Sequence, residues 1–160
     1  MSSAAYSQRL PVIATFLVAL MLSIVPLPDW LVAFRPDWIV VTMIYWAMML
    51  PRSWSVGSAW VIGLVVDVAQ GTLLGQHALA LCIVAFVTVR MHLLIRVFPA
   101  GQLMVAVFSL LTLYQFMLFW INGVAGVEVD AVRYWGPVIS GTILWPLVSR
   151  FLNSARMRVQ

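Results

Sequence analysis

The chain has 160 residues, 64% of them hydrophobic and 9% charged, with a mean hydropathy of +1.04. Soluble domains sit at roughly 45–50% apolar and about 25% charged, so this chain has too few polar residues to cover a water-facing surface. Its net charge of +4 rests on arginines scattered between apolar runs. With no dense basic stripe, nucleic acid is excluded as a partner, and the single Cys82 excludes an internal disulfide or a cysteine-built metal site.

The apolar runs divide into about six spans within a single transmembrane domain, at residues 10–27, 38–52, 54–69, 77–95, 103–124 and 135–152. Arg9 followed by an apolar stretch has the outline of a signal peptide. No small-x-small cleavage site follows, so it reads as a retained first span ending at Pro26 and Pro28. A short loop with Asp29, Arg35, Pro36 and Asp37 leads to the second span. Its strongly apolar part, Trp38 to Leu50, is about 20 Å of helix at 1.5 Å per residue, short of a hydrocarbon core of about 30 Å. It must recruit flanking residues such as Asp37 and Arg52, thin the bilayer, or form a shallow hairpin with the third span.

Pro51-Arg52-Ser53 turns into the third span, and Gly71 and Gly75 break it from the fourth. After Pro99-Ala100-Gly101 comes a long fifth span. The sixth follows a loop with Glu128, Asp130 and Arg133, has Pro137 and Pro146 near its two ends, and runs into a short basic tail. An even span count puts both termini on one side, together with Arg9, Arg52, Arg90, Arg96, Arg150, Arg156 and Arg158 and no acid. The other side holds Arg35, Arg133 and all five acids. The positive-inside rule makes the arginine-rich side cytoplasmic. Trp30, Trp38, Trp54, Trp135 and Trp145 fall near the ends of spans, as an aromatic belt requires.

Few residues invite chemistry. Asp67, near the outer end of the third span, is a functional candidate because an acid within an apolar helix is costly. The structural alternative is that it accepts bonds from the Gly71–Thr72 backbone or pairs with Arg35 or Arg133. His77 and His92 stand 15 residues apart at opposite ends of the fourth span and cannot share an ion; His77 caps or lines the outer end. There is no G-x-S-x-G and no aspartate pair within spans, and Ser58, Ser109 and Ser140 read as packing hydroxyls. We therefore expect no catalytic, cofactor or metal site. Ala59/Gly63, Gly71/Gly75 and Gly136/Ser140 have the small-x-x-x-small spacing that lets helix backbones approach closely. Gln115 and Asn122, seven apart, share one helical face and point either to a partner helix or to a neighbour in the bundle.

Pro36-Asp37-Trp38, then Pro51, then Gly63-Leu64-Val65-Val66-Asp67 leading to Gly71-Thr72-Leu73-Leu74-Gly75-Gln76-His77-Ala78-Leu79 resemble the core signature of the MreD family. The resemblance covers nearly the full chain. It implies an all-α integral protein of the bacterial inner membrane, a compact multi-pass bundle with cytoplasmic termini. That fold is similar to the substrate-binding subunits of energy-coupling-factor transporters. It also implies a non-enzymatic scaffold of the cell-elongation machinery that maintains rod shape and lateral peptidoglycan synthesis. MreC would be its single-span partner, with MreB, RodA and an elongation transpeptidase in the same assembly and anionic lipid at its arginines. Gly63, Asp67, Gly71, Gly75, Ala78, Gln115 and Asn122 are then the structural or partner-binding candidates. The alternative is a small-molecule-binding subunit of a vitamin-type transporter, with Thr42, Asp67, His77 and Gln115 as the polar groups.

Overall fold

The computed structural model describes the backbone of residues 3–127 and 131–157, and side chains over residues 10–127 and 134–157. The side chains of Arg9, Glu128, Asp130, Arg133 and Arg158 lie outside the described residues. Within that range the chain is all-helical: α1 (Ser3–Ile24), α2 (Asp29–Val32), α3 (Trp38–Met49), α4 (Val56–Gln70), α5 (Gln76–Val97), α6 (Ala100–Val124) and α7 (Ala131–Met157).

The bundle is organised around α3. Every residue from Ile39 to Met48 is buried, because α1, α5, α6 and α7 all pack against it. A helix that is apolar on all sides belongs in a core. Its twelve residues meet protein rather than lipid, so the helix need not match a bilayer's thickness. One internal polar bond ties it to α1: the Trp46 Nε1–H donates to Thr15 Oγ1 at 2.9 Å. The longer helices around it are two-faced. α6 turns Val107, Leu110, Leu111, Tyr114 and Leu118 inward, at the three- and four-residue steps of a helical face. On α6 Val105, Phe108, Phe119 and Trp120 stay exposed, as do Leu10, Ile13, Leu17 and Met21 on α1. An exterior as apolar as the interior is what a lipid solvent selects and water does not. By length and composition α5 and α6 are long and apolar enough to cross a membrane, while α3, α4 and the apolar part of α1, Leu10–Ile24, are shorter apolar helices.

The structure departs from the sequence reading in four places. α1 stops at Ile24, ahead of the Pro26-Leu27-Pro28 segment, and the following loop contains a single helical turn, α2. The last helix starts at Ala131 and carries Pro137 and Pro146 inside it; each proline deletes one backbone bond, which a packed membrane helix tolerates. Trp145 is no belt residue: it is 2% exposed, in the core. Trp30, by contrast, is 74% exposed. α3 and α4, the second and third spans, do not pack as a hairpin: α4 packs instead on α5, in the most closely packed pair of the bundle.

That pairing has a specific cause. α4 buries Ala59, Gly63, Val66 and Asp67 along one face. A Cβ added at Gly63 would overlap the backbone of Ala78 on α5, so only glycine permits this approach. Gly136 does the same for α7, where a Cβ would overlap the Ala33 carbonyl.

Candidate functional site

The turn between α4 and α5 is built on one carboxylate. α4 ends at Gly71, whose backbone is left-handed at φ 65°, with its N–H bonded to the Asp67 carbonyl. The Thr72 N–H reaches the same carbonyl at 3.1 Å, a Schellman-type stop that glycine makes without strain. Gly75, at φ 98°, opens α5. These two reversals bring the start of α5 back over the Asp67 side chain. Asp67 Oδ2 accepts the Gly75 N–H at 2.8 Å, and Oδ1 accepts the His77 N–H at 2.9 Å. Oδ1 also accepts the Thr72 hydroxyl at 3.1 Å and faces His77 Nδ1 at 2.7 Å.

Asp67 thus caps a helix other than its own. The first N–H groups of α5 have no partners within that helix, and a carboxylate at a helix N-terminus also gains from the helix dipole. With only 1% exposure, an uncompensated carboxylate would be costly; four donors compensate this one. The ring nitrogen of His77 that faces the carboxylate carries a proton, which directs Nε2 away from the pair.

The backbone donors to the Asp67 side chain are one turn beyond the expected Gly71–Thr72: its described partners are Gly75, His77 and Thr72, and Arg35 is not among them. A pairing with Arg133 lies outside the described residues. Arg35 does other work: its Nη2 donates to the Leu22 and Val25 carbonyls at 3.0 and 2.8 Å, closing the C-terminal end of α1. Gly71 and Gly75 are turn residues with open space where a Cβ would be, and not a helix-packing pair. Gln115 and Asn122 both bond within the bundle. Gln115 Nε2 donates to Asp37 Oδ2 at 3.2 Å, and the Asn122 amide bonds the Tyr134 hydroxyl. Ser58, Ser109 and Ser140 each donate back to a carbonyl of their own helix or its cap. Trp46, which no motif marked, joins α1 to α3; its only signal is an aromatic donor in an otherwise apolar run.

These polar groups share one end of the bundle. Arg35, Asp37, Thr72, Gln76, His77, Gln115, Asn122 and Tyr134 line a common cavity of about 560 Å³. The Asp37 carboxyl is pushed up to about 7 by burial, with Arg35 pulling the other way. Thr42, the remaining polar candidate, lies elsewhere, in a mostly apolar groove between α1, α3 and α7, and bonds back to the Trp38 carbonyl. At the opposite end, Arg96 Nη2 donates to the Met49 carbonyl at 2.6 Å and Arg156 Nη1 approaches Met49 Sδ. Two arginines from different helices therefore converge on the exit of α3.

An all-helical bundle with an apolar exterior, a buried short helix and polar atoms gathered at its ends defines a membrane protein. Comparison then places it. A family profile described as rod shape-determining protein MreD matches residues 5–155. The chain is also 26% identical, over 156 residues, to the Rod shape-determining protein MreD of Haemophilus influenzae (strain ATCC 51907 / DSM 11121 / KW20 / Rd), covering 96% of this chain and 94% of that protein. No solved structure matches. The chain belongs to the MreD family of rod shape-determining membrane proteins.

Proposed function

We propose that this protein is a non-enzymatic scaffold of the cell-elongation machinery. It would span the bacterial inner membrane six times with both termini in the cytoplasm, and hold the transmembrane helix of an MreC-like partner. MreB, RodA and an elongation transpeptidase would join through that complex, and the arginines at the Met49 end would face the cytoplasm and anionic lipid. The observation that carries the reading is the Asp67 hub together with Gly63. They fix α4 and α5 as one rigid unit, and in lipid a partner helix is recognised by shape, since hydrophobicity offers no discrimination there. Membership in a shape-determining family and an apolar exterior on every outer helix support it.

The test is co-purification from a rod-shaped host with the chromosomal copy replaced. Asp67→Leu and Gly63→Val should each reduce recovery of the MreC-like protein and round the cells. A stoichiometric complex and normal rods in both variants would overturn the scaffold assignment. The alternative, a transporter-type subunit that binds a small molecule, draws support from the polar cavity. Native mass spectrometry separates the two, through a bound single-span protein or a bound metabolite.

A further inference from the structure

The polar cavity has a composition that neither packing nor helix capping accounts for. Arg35 and Asp37 both line it, yet the one ion pair among the described residues is Asp67 with His77. A cation and a carboxylate therefore face the same space without a direct salt bridge, although the Arg35 charge is felt at Asp37. Arg35 commits Nη2 to the α1 carbonyls, while its buried Nε has no acceptor among the described residues. Asp37 uses Oδ2 for the Gln115 amide and has no described donor on Oδ1. Gln76 and His77 are each only 7% exposed. Gln76 makes no described side-chain hydrogen bond, and the His77 ring is held by Asp67 so that Nε2 is left over. Buried polar atoms are nearly always satisfied, so the orphaned Arg35 Nε, with the Asp37 carboxylate, the Gln76 amide and the His77 ring open to the same space, argues for an occupant that supplies their partners. The volume suits a small molecule.

We propose that this cavity binds a compact zwitterion, a primary ammonium joined within a few bonds to a carboxylate or phosphate. The oxyanion would sit on Arg35 Nε, the ammonium between Asp37 Oδ1 and His77 Nε2, and the Gln76 amide would bridge them. Opposite charges on one wall select against simple anions or cations, because either would leave one wall charge unmatched. The Asp37 carboxyl is raised by burial that Arg35 only partly offsets, so an added ammonium beside it would be favoured. Such chemistry is shared by free amino acids and by the phosphoethanolamine head group of a lipid. The inference concerns a ligand of this chain and stands whether or not MreC is the partner.

Full-length protein in detergent would be heated with glycine, O-phosphoethanolamine or phosphocholine, and examined by native mass spectrometry. A parallel arm would use nanodiscs of phosphatidylethanolamine or phosphatidylcholine. Glycine and phosphoethanolamine should raise the unfolding midpoint and appear as a bound mass. Phosphocholine, whose quaternary nitrogen has no N–H to donate, should not. If only phosphatidylethanolamine is retained from nanodiscs, the source is a lipid head; binding of the soluble compounds makes it a free solute. Asp37→Asn and Gln76→Leu should each weaken binding about tenfold, equivalent to about 1.4 kcal/mol, with circular dichroism and elution volume unchanged. Absence of binding in both arms, equal binding of the choline compounds, or wild-type affinity in both variants would overturn the proposal.

Discussion

Replacing Asp67 with leucine removes the acceptor for four donors while keeping the branched outline of the side chain, with bulkier methyl groups in place of the oxygens. Two of them have a remedy: the Thr72 hydroxyl lies 3.3 Å from His77 Nδ1, so hydroxyl and ring can satisfy each other after a tautomer change. The Gly75 and His77 backbone N–H groups have none. They point into the turn, at 2.8 and 2.9 Å from where the carboxylate was, and their own helix offers no carbonyl. An orphaned buried donor costs about 1–3 kcal/mol, so Asp67→Leu should destabilise by about 2–6 kcal/mol. Asp67→Asn keeps one oxygen, which serves His77 and Thr72, and turns an NH2 toward the Gly75 N–H. Its cost should be about 1–3 kcal/mol, from that single donor–donor conflict. For a chain of this length each kcal/mol moves the midpoint by about 2–4 °C. The assay is tryptophan fluorescence during thermal unfolding of purified protein in one detergent. The order wild type, Asn, Leu is required. Equal midpoints for all three would mean that water satisfies the turn and the carboxylate does not organise it.

Further expectations follow from the packing and charge. Gly63→Val should cost at least about 3 kcal/mol, because its side chain meets the Ala78 backbone. Gly57→Ala, with nothing within 4 Å of the new atom, should be neutral or stabilise by up to about 1 kcal/mol through helix propensity; thermal melts of the pair separate crowding from composition. Trp46→Phe should cost about 1–2 kcal/mol by losing its bond to Thr15. Combined with Thr15→Val, the penalty should be less than the sum of the singles in a double-mutant cycle. Asp37 gives a pH dependence of defined sign. Its carboxyl titrates near 7 when folded against 3.8 when free, so between those values the folded state holds a proton that the unfolded state has released. Stability should therefore fall as pH rises from about 4 to about 7 and level off above, by no more than a few kcal/mol in total. In Asp37→Asn melts across that range this slope should vanish.

How much of this arrangement could be read from the residues depended on whether an interaction is local in sequence. The helices themselves, the breaks at Gly71 and Gly75, and the singular status of Asp67 all announce themselves, because an acid in an apolar run has to be compensated somewhere. Its partners did not, since local turn chemistry looks four or five residues ahead. Here two left-handed glycines fold the chain so that residues eight and ten positions on supply the N–H groups. Likewise, Arg35 closes a helix end from 10 and 13 residues away, a tertiary contact without a motif. Trp145 was misplaced for a different reason: where apolar residues surround a helix, no face is marked as inward, so a core tryptophan reads the same as one at the surface.

The short α3 makes the same point from the opposite side. Judged alone, twelve residues look too few for a membrane and invite a shallow hairpin. Surrounded by four helices, the same segment becomes the axis on which they pack, and both of its ends are held by charge: Asp37 with Gln115 at one, Arg96 and Arg156 around Met49 at the other. Because lipid gives little drive for apolar helices to associate, close glycine contacts and these end bonds have to supply the bundle's definition. That is why loss of the Asp67 carboxylate should be felt across the whole fold, while changes to its many exposed leucines and valines should not.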